Sequence, residues 1–499
     1  MLSRFVSLFL ALAGFTPILQ SILSYFWDAK GLRKYPSASA VAAVSPLWRI
    51  WHNVHFRHYA AVDDAHKRLG SHVRIAPNHV SVLDPRAPYD IYGHGANMLK
   101  EEWYDAGAGA HRNLADTRDK AEHQAKRKMM AHTFAAKTVS KFEPVLQEHV
   151  GALMAQLDHH IDSGTRANMR RLINYFTIDL FGQVLFGHKL GCLRRGNDNL
   201  VAESKAGRLY EAPFIQSLLD VTVINTVLGM VPGLLWLSRP LFKSHPYKRA
   251  GTDWENIVYY NTKERISKQV QEDDLFQRLL QDTKGHDLNL SMGEIVAECS
   301  AMMNAGTETT TAAMTNTIFL LFTHAEVLAQ LREELDKAFP GDEIPTYEAA
   351  SKLPYLRACI EESLRVRPAS SMGLPRIVPP GGRVIAGQFI AEGVTVSVPT
   401  YSLLRNEKVF TDATRYQPDR WMTEDQEKKK EMMNSHLPFS TGPRACIGRN
   451  IAYFEQTVVI ATIVKFYDGK IADTFELETQ ERFNSNPGDL PVEFKRRHC

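Results

Sequence analysis

The run Phe439-Ser440-Thr441-Gly442-Pro443-Arg444-Ala445-Cys446-Ile447-Gly448 brings one thiol, one permanent cation and two glycines into a short stretch of chain. A thiolate bound to iron pushes electron density onto the metal and favours O–O cleavage, so a chain that uses one must bring the sulfur close to the metal and shield it. Cys446 supplies the sulfur, Gly442 and Gly448 permit close backbone approach, and Phe439 is placed to cover the sulfur side. Arg444, two residues before the cysteine, suits a carboxylate in two-pronged geometry, such as a haem propionate. The plainer alternative is a turn with a buried structural cysteine. Five fixed positions in register make chance a poor account of the pattern, because each residue type occurs at only about 5 to 7 per cent.

An oxygen-binding face is suggested further upstream. Periodicity predicts a long helix over 290–322, opened by Ser291 and Glu294 as a capping box. In its middle, Ala305-Gly306-Thr307-Glu308-Thr309 goes against helical preference: glycine costs about 1 kcal/mol relative to alanine, and threonine is a weak helix former. Met302, Ala305, Gly306, Thr309 and Ala313 share one face, so a haem beneath it meets small side chains and one hydroxyl. Thr309 is then the candidate for proton delivery, and Glu308, pointing partly away, the candidate acid linking it to solvent. A threonine-rich patch on a core helix is the competing reading.

The supporting elements follow from spacing. Glu362 and Arg365 lie one turn apart in a helix predicted over 353–365, and Pro418-Asp419-Arg420-Trp421 comes later. His123 and Arg127 share a face of the helical segment 122–128, and Arg376 precedes a region of strand-like alternation at 383–390 and 394–398. Taken in order, AGTET, ExxR, PDRW and FxxGxRxCxG resemble the motifs of the cytochrome P-450 haem-thiolate monooxygenases, over essentially the whole chain.

That resemblance implies a mainly α fold with a small β region, in a single large haem domain. It implies haem b with Cys446 as axial ligand to the iron, held by Phe439, Gly442, Arg444, Gly448, Ala305, Gly306, His123, Arg127 and Arg376, with dioxygen as co-substrate. Glu362, Arg365 and Arg420 form a buried charge cluster bracing the cysteine loop on this reading. Electrons come from an NADPH-dependent reductase, so NADPH acts only indirectly, and Lys120, Lys126, Lys128 and Arg449 offer that acidic partner a basic face. His123 departs from the tryptophan that the family often carries.

Length and composition agree with one large unit. The 499-residue chain has 44% hydrophobic residues and no internal repeat, and its net charge of +3 argues against an extended nucleic-acid footprint. Its five cysteines are widely spaced and suggest neither disulfide framework nor zinc site. Residues 5–27 are apolar enough to span a bilayer, and Lys30, Arg33 and Lys34 follow them while Arg4 stands alone before them. The expected organisation is therefore a membrane anchor at 1–30, a hinge at 31–46 and the haem domain at 47–499. The anchor implies a single-pass protein of the endoplasmic reticulum membrane, its body in the cytosol. A second apolar stretch, 213–237, contains Asp220, Asn225 and Pro232 and reads as a lid over the site or a buried helix pair.

Val73-Arg74-Ile75-Ala76-Pro77, Tyr92-Gly93-His94-Gly95, Thr117-Arg118-Asp119 and Ser371-Met372-Gly373-Leu374-Pro375-Arg376 resemble the fungal benzoate para-hydroxylase group and its relatives in secondary metabolism. The implied substrate is a small aromatic or polyketide-derived molecule. The segment 103–112 is placed to shape its pocket, with Arg112 a candidate carboxylate partner. Two rivals remain at this level: a haem-thiolate isomerase or dehydratase that uses no dioxygen, and a non-catalytic membrane-bound haem or lipid binder.

Overall fold

The computed structural model describes residues 21–268, 275–282 and 284–497. Most of the stretch read as a membrane anchor lies outside these residues. Its end, 21–27, is helical, and among the described residues no single helix is long and apolar enough to cross a membrane.

Seven helices position the site: α1 (Lys120–Ala131), α2 (Met169–Phe186), α3 (Phe214–Gly229), α4 (Pro246–Ser267), α5 (Met292–Thr323), α6 (Pro354–Val366) and α7 (Arg449–Phe466). The centre is α5, flanked by α2 and α7. All three are buried around most of their circumference, as expected of helices apolar on every side. The capping box forms as read: Ser291 Oγ accepts from the Glu294 N–H, and Glu294 Oε2 accepts from the Ser291 N–H at 2.8 Å. α1 is capped by Asp119, whose carboxylate accepts from the Glu122 N–H.

The β region is small and lies to one side. Strands β1 (His72–Ala76), β2 (His79–Val82), β3 (Leu99–Lys100), β4 (Arg376–Ile377) and β5 (Thr395–Ser397) form one sheet in the order β1-β2-β5-β4-β3. β2 and β5 run parallel and the other pairs antiparallel, which brings Lys100 opposite Arg376. The 383–390 stretch is a hairpin rather than one strand: Arg383–Ile385 pairs with Gln388–Ile390. Ala386 and Gly387 turn it, both at positive φ.

One expectation changes here, and the helix-pair reading of 213–237 is met. The stretch 31–46 is docked rather than a hinge. Tyr35, Ala38, Ala42 and Ala43 are buried, and the backbones of Pro36 and Ala38 bond to Arg74 of β1. Serine and alanine richness suggested flexibility, but small side chains also allow close packing on a sheet. The 213–237 stretch forms α3, a turn at Pro232–Leu234 and the start of the Leu235–Leu241 helix. Its break is sharp, at 101°. Val223, Ile224 and Leu228 are buried, and Gly229 packs so closely on Trp103 that a Cβ there would lie 2.6 Å from the indole.

Behind the cysteine loop is a carboxylate that no water reaches. Glu362 and Arg365 are both fully buried, and Glu362 accepts two bonds from Arg365 (2.8 Å each). It also accepts from Arg420 Nε (2.9 Å), the Gln417 N–H (2.9 Å) and Trp421 Nε1 (2.9 Å). Arg365 donates onward to the carbonyls of Leu404, Ala413 and Arg415. The cluster thus joins α6 to the irregular 404–421 chain, whose own backbone bonds are local turns. Removing one member strands the charges of the others, so Glu362→Ala is expected to cost about 3 to 5 kcal/mol. Denaturant unfolding measures this; a loss under about 1 kcal/mol contradicts the bracing role.

Candidate functional site

The cysteine loop is held by close approaches that only its sequence permits. Gly442 has φ +75° and its Cα lies so near the Tyr92 carbonyl that an added Cβ would meet that oxygen at 1.9 Å. The glycine therefore seats the loop on the Ala87–Tyr92 helix. The Cys446 N–H donates to the Phe439 carbonyl at 2.9 Å, closing the loop, while the Phe439 ring packs on Tyr453 with centroids 5.0 Å apart. Tyr453 in turn donates to Glu361, the neighbour of Glu362.

Cys446 faces a cleft: the residue is reached by solvent, yet protein atoms crowd around its sulfur. Burial pushes its thiol pKa up, and the Gly448 N–H, Arg127 and Arg449 pull it back. Cys192, Cys299 and Cys359 are buried, so among the described cysteines only Cys446 is open for ligation. Gly448 caps α7, and its N–H points at the sulfur.

Beside the loop, five basic side chains converge. Arg444 donates to the carbonyls of Thr117 (2.6 Å) and Arg118 (2.7 Å), and Arg127 to that of Ala445 (2.7 Å). Arg376 donates to the Tyr104 hydroxyl (3.1 Å) and lies over the Tyr92 ring. Lys100, from β3, is buried and donates to the Ala115 carbonyl at 2.6 Å. His123 completes the group, its pKa driven down to about 3 by burial and by Arg444, Lys100, Arg127 and Arg376. Burial and the neighbouring Arg376 lower Arg444 to about 10, and burial with the two arginines takes Lys100 well below its usual value.

These bonds go to neutral carbonyls and a hydroxyl, which orient the cations without cancelling charge. Asp116, the acid acting on Lys100, is itself pushed up to about 6 by burial. Such an excess of positive charge calls for an anion. A thiolate ligand facing the cleft and a basic cluster at its edge fit a flat dianionic cofactor such as haem. Lys100 was missed in the sequence because it stands alone in a two-residue strand; the β3–β4 pairing brings it to Arg376.

α5 departs from the reading of its motif. Ala305 is exposed in the cleft, and Thr309 Oγ1 donates to the Ala305 carbonyl at 2.8 Å, so these two face the site. Gly306 does not present a vacant side to the cofactor: an added Cβ would lie 2.4 Å from the Phe181 ring of α2. The glycine is required by the close crossing of two helices. Met302 and Ala313 are buried in the core. Glu308 does not reach solvent; it is buried, paired with Arg170 at 2.8 Å and bonded by Asn174 at 3.0 Å, both on α2.

Two further corrections concern cations. Lys126 turns inward to Glu298 of α5 at 2.8 Å and leaves Lys120, Lys128 and Arg449 as the exposed members of the basic face. Arg112 is engaged by Asp105 at 2.7 Å and by the Asp116 carbonyl, so its charge is already answered. An apolar roof adjoins the basic group: Trp103, Met230 and Met372 pack together, with Phe483 and Tyr104, the partner of Arg376, against them.

A family model described as Cytochrome P450 matches residues 42–489. Benzoate 4-monooxygenase bphA of Aspergillus niger is 32% identical, over 96% of both chains. Cytochrome P450 monooxygenase aba2 of Botryotinia fuckeliana is 29% identical over 82% of this chain and 78% of its own. Cytochrome P450 monooxygenase astJ of Aspergillus oryzae is 30% identical over 88% and 86%.

The α2–α5 crossing can be tested by itself. Gly306→Ala is expected to cost about 1 to 3 kcal/mol by overpacking, and Gly306→Ala with Phe181→Leu to recover most of it. Denaturant midpoints of the two variants check this. A neutral Gly306→Ala removes Phe181 as the reason for the glycine.

Proposed function

Because the chain belongs to the cytochrome P450 family and is a haem-dependent monooxygenase supplied with electrons by a reductase, we propose that it hydroxylates a small aromatic or polyketide-derived molecule. The observation that carries the substrate class is the match to a benzoate 4-monooxygenase along 96% of both chains. The aromatic and thioether roof of Trp103, Met230, Met372 and Phe483 supports it, since flat apolar rings stack well there.

Haem b, ligated by Cys446, supplies the oxygen chemistry with dioxygen as co-substrate. The chain provides the rest. Lys100, His123, Arg127, Arg376 and Arg444 hold the propionates, and the bonds of the three arginines and Lys100 to neutral oxygens keep those cations oriented toward them. Gly448 N–H and the closed loop fix the sulfur. Thr309 holds its proton against the Ala305 carbonyl on the side of α5 that faces the site, and would be the group that passes a proton there. Glu308 would be the acid of this relay only on leaving its buried pair with Arg170. Lys120, Lys128 and Arg449 receive the reductase.

On the same reading the protein is a single-pass protein of the endoplasmic reticulum membrane, its body in the cytosol. The apolar stretch 5–27, the basic residues after it and the exposed Trp27, Trp51, Trp236 and Leu241 support this. Full-length protein is expected to sediment with membranes through an alkaline wash; its release into the supernatant contradicts the anchor.

Titration of the purified holoenzyme with small aromatic acids, phenols and aromatic polyketides is expected to give a substrate-type absorbance shift with at least one class. No shift across the panel overturns the substrate reading. With the binding compound, Thr309→Ala should keep the shift, lose product formation by at least about tenfold and release peroxide. Unchanged coupling removes Thr309 from proton delivery.

A further inference from the structure

One buried cation outside the propionate cluster has no ion pair among the described residues. Arg49, on the helix Leu47–Val54, is 6% exposed, its Nε has no partner, and among the described residues no carboxylate forms an ion pair with it. Two buried histidines stand beside it. His58 opens the helix His58–Leu69 and has both ring nitrogens unpartnered. His79, on β2, bonds Ser397 Oγ through Nε2 at 2.8 Å and leaves Nδ1 unpartnered.

All three line one small cavity with Tyr59, Ser371 and Met372. Burial holds both histidines well below their usual pKa, so they are neutral and each offers at most one free N–H to the cavity. Burial also lowers Arg49, and the influence of Glu101 partly offsets it, but the Glu101 carboxylate accepts from the Trp103 N–H instead of pairing with the guanidinium. The donor set is thus one cation with N–H groups around it. A water molecule could satisfy the N–H groups; an anion satisfies them and adds to the partial charge balance that Glu101 gives Arg49.

The place of the cavity links it to the site. Its free space holds about one water molecule, the size of a single carboxylate oxygen. Met372 is its wall on one side and part of the apolar roof, with Trp103 and Met230, on the other. A thioether is the side chain best able to shift for an entering group. The loop carrying it cannot drift, because Gly373 runs so close to the Val398 carbonyl that a Cβ would lie 2.6 Å from it.

We propose that this cavity receives one oxygen of the substrate's carboxylate, with Arg49 as the specificity-determining cation, so that the enzyme selects aromatic acids over their neutral analogues. The assignment rests on the aromatic-substrate reading above and deepens it by naming the ionised group.

The experiment is spectral titration of the full-length holoenzyme with benzoate, benzamide and methyl benzoate, in wild type, Arg49→Met and Arg49→Lys. Wild type is expected to prefer benzoate by about tenfold or more, the scale of a charge-assisted contact. Arg49→Met should abolish that preference while leaving benzamide affinity within about twofold, and Arg49→Lys should retain part of it. His58→Phe, at the edge of the same cavity, reads the same preference if Arg49→Met does not fold. Benzamide binding with no preference for benzoate, or a preference that survives Arg49→Met, overturns the assignment and leaves the aromatic reading standing. Absence of any shift with all three compounds overturns both. Sodium acetate separates a substrate carboxylate from a free small anion. Competition between acetate and benzoate supports the proposal; acetate stabilisation of the wild type that is unaffected by saturating benzoate makes the cavity a small-anion site and overturns it.

Discussion

A carboxylate sealed from water, that of Glu362, holds the thiolate in place from a distance. It takes five hydrogen bonds, from Arg365, Arg420, Trp421 and the Gln417 backbone, and so fastens an irregular stretch of chain to α6. Its neighbour Glu361 accepts from Tyr453 of α7, Tyr453 packs on Phe439, and the Phe439 carbonyl receives the Cys446 N–H. Phe439 and Cys446, at the far end of this path, lie outside regular secondary structure. The loop geometry comes instead from charge–dipole contacts in a low dielectric, where each is strong and its loss is costly.

Electrostatics separate the basic residues by what already answers them. Arg112 and Arg118 share Asp105, and Lys126 meets Glu298. Lys100, Arg127, Arg376 and Arg444 bond only neutral oxygens, and His123 is kept neutral among them. Such a cluster repels itself until an anion arrives, which is why it suits two propionates. Arg49 is a second buried cation without an ion pair among the described residues, offset only in part by Glu101, and the space beside it is too small for a cofactor. Two anion preferences in one molecule, one for a cofactor and one for a substrate, follow from the same rule about buried charge.

The middle of α5 shows how far a local sequence signal reaches. Glycine and threonines at 305–309 mark a departure from helix preference, and the departure is real. Its cause is divided. Thr309 and Ala305 face the cleft, whereas Gly306 makes room for Phe181 and Glu308 turns to Arg170. Helical periodicity locates residues to within a face, but neighbours one position apart are separated by about 100° and meet different partners. Nothing in the chain near 306 names Phe181.

The sequence by itself determined the family, the ligand cysteine, the helix carrying Thr309 and the Glu362–Arg365–Arg420 cluster, because each rests on residue types at short fixed spacings. Helix limits were close as well: 290–322 and 353–365 were expected, and Met292–Thr323 and Pro354–Val366 are observed. What only the tertiary structure decided are pairings across long stretches of chain. These include Lys100 beside Arg376 through β3 and β4, Gly306 against Phe181, Glu308 with Arg170, Arg112 with Asp105, and Arg49 with His58 and His79 around one cavity. Whether a basic residue is spent or available depends on which acid the fold brings to it, and that distance is set by packing rather than by position in the chain.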